Sequence, residues 1–131
     1  MKKYILLLIL PFIGFTQELN DWEINEMLKE IANELNRDCP MIVDESTTLK
    51  NITSLGKTLI YNYSIDNSSL VAYDVTKSEF LAFQKEVITN AFCTDPSMNI
   101  YRENHINVIW KYSDLMGKYI GEIKLNKNDC N

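Results

Sequence analysis

Three cysteines, one histidine and one acidic doublet are the side chains with chemistry to offer. Cys39, Cys93 and Cys130 carry thiols, His105 is the sole imidazole, and Asp44-Glu45 sets two carboxylates side by side. A thiol beside an imidazole is the pattern of nucleophilic catalysis, so Cys39–His105 and Cys93–His105 are the dyads the chain could build. Paired carboxylates could divide acid and base roles. Spacing supports neither. Adjacent side chains point apart, and Asp44-Glu45 precedes Ser46, Thr47 and Thr48 in a stretch that reads as a turn, where an aspartate bonds its own backbone. One histidine cannot make a multi-histidine metal site, and the Cys-x-x-Cys, His-Glu-x-x-His and calcium-loop spacings do not occur in the sequence. The reading therefore expects no metal, no cofactor and no catalytic residue. A small hydrolase built on Cys39 or an acidic residue ranks last among the functions considered.

The N-terminus gives the address. Lys2 and Lys3 precede an apolar run from Tyr4 to Ile13, and Gly14 and Thr16 place small side chains at −3 and −1. That is a secretory signal over residues 1–16, cut before Gln17. The apolar run is too short to span a bilayer as a lasting anchor, and no cysteine at the cut would take a lipid. The expected location is periplasmic or secreted. In an oxidising compartment three cysteines imply one disulfide and one leftover thiol. Three pairings are open. Cys93–Cys130 is preferred, because Cys93 ends a helix and Cys130 lies just past the last strand, so a bridge would pin the C-terminus. Cys39 is then left over as a small, buried residue.

Removing residues 1–16 takes two lysines and no acid from the 13 basic and 18 acidic residues, so the formal charge moves from −5 to −7. Such a domain repels phosphate backbones and anionic bilayers. No nucleic-acid partner and no membrane association of the mature form are expected. Residues 17–131 suit one domain, since no linker, repeat or low-complexity stretch divides them. Three glycosylation-type sequons, at Asn51, Asn62 and Asn67, are read as chance in an asparagine-rich chain.

The elements that must position these residues follow from periodicity. Asn20 with Glu23 forms a capping box for a helix from Asp21 to Asn36, and Ile24, Met27, Leu28, Ile31 and Leu35 recur at helical spacing. Met41-Ile42-Val43 is a short apolar run. Thr47 to Ser54 is β-branched but alternates poorly, whereas Thr58 to Ile65 alternates well; with Gly56 between them they form a hairpin. Asp66 to Ser69 reads as a loop. Thr76 with Glu79 opens a second helix, whose Phe80, Phe83, Val87 and Ala91 share one face with Ile88 and Phe92. Asp95-Pro96 opens a short third helix to Glu103. Ile106, Val108, Trp110 and Tyr112 alternate in a strand, and Tyr119, Gly121, Ile123 and Leu125 in another. Pairing Tyr112 with Tyr119 sets Trp110 opposite Gly121, with the indole covering the missing side chain. The order is α-β-β-α-α-β-β, an α+β fold with an antiparallel sheet of about four strands and helices on one face. The other face, with Asn62, Ser64, Lys111, Glu122 and Lys124, should meet water. The strand-spaced pairs Tyr61-x-Tyr63 and Trp110-x-Tyr112 are read as core under the helices.

A run of motifs then resembles a widespread set of small exported bacterial proteins of unassigned activity. Pro40-Met41-Ile42-Val43-Asp44, with Thr47 and Leu49, matches its Pro-Met-x-Val-Asp-x-x-Thr-x-Leu segment. Tyr61 and Tyr63 match its Tyr-x-Tyr strand, and Cys93, Thr94 and Met98 its Cys-Thr-x-x-x-Met segment. Tyr112, Gly117, Ile120 and Ile123 match its ending, which closes in Asp129-Cys130. The resemblance implies the Cys93–Cys130 pairing and an exported address, and no enzyme class. It directs attention to Val43–Leu49 as a functional surface.

The leading expectation is an exported, non-enzymatic module that binds another protein, as an inhibitor, an immunity protein or an envelope accessory. Asp44, Glu45 and Thr47, or an adjacent sheet edge, are its candidate surface. The alternative is a carrier of a small apolar or peptide ligand held between helices and sheet.

Overall fold

The computed structural model describes residues 19–130. The signal sequence at residues 1–16, the cut before Gln17 and the start of the mature domain lie outside the described residues. From Leu19 onward the elements are α1 (Asp21–Asn36), β1 (Met41–Asp44), β2 (Thr47–Leu55), β3 (Thr58–Ile65), α2 (Asn67–Ala72), α3 (Lys77–Thr94), a 3-10 turn (Pro96–Met98), α4 (Asn99–Glu103), β4 (Asn107–Asp114), β5 (Tyr119–Leu125) and a closing 3-10 turn (Lys127–Asp129). The α+β class and the helix-capping signals are as expected: Asn20 and Glu23 exchange hydrogen bonds with each other's backbone, as do Thr76 and Glu79.

The structure differs from expectation in four ways, three of them in the sheet. First, the sheet has five strands in the order β1-β2-β3-β4-β5. The added strand is Met41–Asp44, which pairs with β2 through Met41 with Leu49 and Ile42 with Thr48. At four residues it was too short to show a period. Second, the central β3–β4 pair is parallel, Tyr61 beside Trp110 and Tyr63 beside Tyr112. The chain leaves β3, passes through α2, α3 and α4, and re-enters at the same end. A crossover of that length is what parallel neighbours require. Third, β5 is displaced by two residues from the expected register. Tyr112 lies opposite Gly121, Trp110 opposite Ile123 and Val108 opposite Leu125. The Asp114 side chain accepts from the backbone N–H of Met116 and Lys118, and this short turn extends β4 to Asp114. Because the shift is an even number, every side chain keeps its face. The space above Gly121 belongs to Leu81 of α3, not to Trp110; a Cβ there would run into the Leu81 side chain. Fourth, Asp66 to Ser69 is not loop throughout. Asp66 caps α2 by accepting from Ser68 N–H.

β2 alternates poorly because of a bulge between Leu49 and Asn51. The extra residue resets the phase, so that Leu49 and Ile52, three apart, both reach the core. α1 lies against β2 and β3 and buries Ile24, Met27, Leu28, Ile31, Ala32 and Leu35. α3 lies against β5. The opposite sheet face carries exposed Glu122 and Lys124 and half-buried Asn62 and Lys111, with Ser64 a buried exception.

Candidate functional site

The parallel register of β3 and β4 stacks aromatic rings in pairs. Tyr61 lies on Trp110 with centroids 5.9 Å apart, and Tyr63 on Tyr112 at 5.1 Å. Phe92 and Phe80, both from α3, meet this floor edge-on, at Trp110 and Tyr112 respectively. Offset and edge-on contacts let the ring quadrupoles attract, adding to the burial of large apolar surface.

α3 does not close over the floor. Only Phe92 of its 18 residues is fully buried. Phe83 is 61% exposed and Val87 41%, although both belong to the apolar stripe expected to face the core. Between this stripe and the aromatic floor runs a groove of about 240 Å³. One wall is Phe80, Phe83, Gln84, Val87, Ile88 and Ala91; the floor is Tyr61, Tyr63, Trp110 and Tyr112; Val43, Asp44 and Thr47 close one end. A second cleft, of about 400 Å³, shares Asp44, Thr47, Phe80 and Gln84 with the first and adds Glu45, Ser46, Ser69 and Tyr73. Asp44 and Thr47 therefore sit at the mouth of the apolar groove, with Glu45 beside them in the adjoining cleft. Asp44 also accepts from Ser46 N–H at 2.9 Å, the turn-holding bond of its sequence context.

What sequence reasoning missed was the α3 wall. The signal was present in the number of apolar positions. Phe80, Phe83, Val87 and Ala91 make one stripe, and Leu81, Ile88 and Phe92 extend it around the helix. That is more apolar surface than one seam against the sheet can cover.

The other candidate residues stay apart from the groove. Cys93 and Cys130 are joined in a disulfide with Cα atoms 5.5 Å apart. Cys39 is a free thiol whose Sγ lies 3.4 Å from the Leu35 carbonyl oxygen. Burial, then the neighbouring Asp38, raises its pKa, the opposite of what activates a nucleophilic thiol. His105 is exposed in the turn after α4, with a positive φ of 55°. Among the described residues, no three His, Cys, Asp or Glu side chains converge as a metal site.

The floor has a pH signature. Burial pushes the Tyr61 phenol up to about 12. It also raises Tyr63, with the Tyr112 and Tyr61 phenols adding, and Tyr112, with the Asp44 carboxylate adding. In the unfolded chain these phenols ionise near pH ~10. Above that pH the unfolded state binds fewer protons than the native one, so stability falls with rising pH. Stability from these groups is complete below pH ~10 and is lost as the pH climbs toward the folded values. Tyrosinate absorbance followed with far-UV circular dichroism should show ionisation of these phenols coinciding with loss of structure. Ionisation of all tyrosines near pH ~10 with the fold intact would contradict the buried floor.

No family model matches the chain. Escherichia coli Protein K is 29% identical over 89 residues, which are 66% of this chain; the match spans less than half, 45%, of that protein's length. Among solved structures, a Pseudomonas aeruginosa protein described as secreted superposes with a TM-score of 0.70 at 15% identity, covering 86% of this chain and 97% of that one. The type II secretion system pilotins of Vibrio vulnificus and Vibrio cholerae superpose with TM-scores of 0.68 and 0.65 at 14% and 13% identity. They cover 85% and 84% of this chain, and 94% of each of theirs. At such identities the likeness is one of fold.

Proposed function

We propose that this protein is an exported accessory factor that binds another protein, and that the groove between α3 and the aromatic floor is its docking surface. The observation that carries this reading is the exposure of Phe83 and Val87 directly above an aromatic floor. A helix that turns apolar side chains toward an open groove leaves a site for another chain's side chains. Asp44 at the mouth, with Glu45 in the cleft beside it, favours a segment with a basic residue at that end. The signal sequence supports export. The fold shared with secretion-system pilotins supports an envelope accessory over an inhibitor or immunity protein.

Strand addition at a sheet edge is a weaker form of the same reading. β1 is four residues long, follows Pro40 and carries a register irregularity between Ile42 and Asp44, the devices by which natural edges discourage pairing. A small-molecule carrier is less well supported: the aromatic-floored groove, about 240 Å³, falls below the ~300 Å³ at which ligand pockets begin, and the roomier cleft of about 400 Å³ beside it lies open among exposed Glu45 and Tyr73.

The test compares capture from the native envelope by wild type, Phe83→Asp/Val87→Asp, Asp44→Ala and Cys39→Ala/His105→Ala proteins. The groove variant should lose its partner while its melting temperature stays near wild type, since both side chains are already exposed. The Cys39/His105 variant should retain the partner. Asp44→Ala should weaken capture most at low salt. Undiminished capture by the groove variant would remove the groove from the reading.

A further inference from the structure

We infer that α3 is a hinged wall: its C-terminal end is fixed, and its N-terminal half swings to admit the partner segment. This rests on the groove being the docking surface. At about 240 Å³ the groove as it stands takes only a couple of apolar side chains; to seat more of a bound polypeptide segment, one wall must give. The floor cannot. β3 and β4 are central strands, each paired on both sides. α3 can, and its attachments are unequal.

Three anchors gather at its C-terminal end. Phe92 is fully buried against Trp110. Cys93 is bonded to Cys130. The Arg102 guanidinium of α4 donates to the carbonyls of Phe92 and Asp95. The N-terminal half is held by side-chain contacts, with no covalent bridge and no fully buried residue of its own. Leu81 rests over Gly121, Phe80 touches Tyr112 edge-on, and Gln84 lies 3.5 Å from the Tyr112 hydroxyl. None of residues 77–91 is fully buried. Elements that move on binding are drawn from such low-burial segments.

Amide hydrogen exchange on the oxidised, partner-free wild-type protein tests this. Residues 77–87 should exchange at least ~10-fold faster than residues 88–94, and faster than β3 and β4. Equal rates along α3 would overturn the hinge. On reduction of Cys93–Cys130, residues 88–94 should rise to the rate of 77–87. Unchanged rates there would overturn the bridge as the pivot. Should reduction release β3 and β4 as well, the oxidised comparison decides alone. The readout needs no partner, so a rigid α3 in a protein whose Phe83→Asp/Val87→Asp variant still loses its partner refutes the hinge and leaves the docking surface standing.

Discussion

Replacing Trp110 by alanine should cost roughly 3–5 kcal/mol of folding stability. The indole is 7% exposed, stacked on Tyr61 and met edge-on by Phe92. It thus touches both the neighbouring strand and the fixed end of α3. Its removal leaves a cavity that rigid strands on both sides cannot collapse into. A domain of this size has only ~5–15 kcal/mol in total, so the variant should unfold at clearly lower urea with an unchanged slope. A loss under ~1 kcal/mol would mean that the indole is not a core group. Because Trp110 is both floor and core, loss of partner capture in this variant would say nothing about binding. Phe83 and Val87 are the residues for that question.

The second large effect concerns the disulfide. Cys93 and Cys130 are 37 residues apart in sequence, and closing such a loop is worth up to about 4 kcal/mol in the chain-entropy model. The Cys93→Ser/Cys130→Ser protein should therefore lose roughly 2–4 kcal/mol. The loss should show in urea unfolding and be matched by wild type in reductant. Without the bridge the tail has little to hold it, since its 3-10 turn Lys127–Asp129 contains no buried residue. A variant as stable as wild type would show that the bridge gives the folded state no net advantage over the open chain.

Much of this architecture was written in local patterns. The capping boxes at Asn20/Glu23 and Thr76/Glu79, the alternation of Thr58–Ile65 and the turn at Asp95-Pro96 each involve residues within a few positions of one another. Their physics is complete inside the segment. What was not legible depended on distant partners. The parallel pairing of β3 with β4 is set by where a long crossover re-enters the sheet. The register of β5 is set by the Asp114 turn and by Leu81 of α3 needing the space above Gly121. The bulge in β2 blurred that strand's alternation without hiding the hairpin it forms. For the candidate site, the sequence singled out the Asp44–Thr47 turn and the aromatic pairs separately. That the first closes one end of a groove floored by the second follows from the fold of β1 onto β2 and of β3 beside β4. The exposure of Phe83 and Val87 was not legible because periodicity identifies an apolar face and not what covers it.

The parallel seam down the middle of the sheet has one more consequence. β1, β2 and β3 form a continuous meander, and β4 and β5 a separate hairpin. Tyr61 and Tyr63 come from the first unit, Trp110 and Tyr112 from the second. Neither half of the chain possesses the aromatic floor. It is created where two independently drawn ribbons are laid edge to edge, so the stacked surface is a property of the completed chain and cannot be inherited by either fragment.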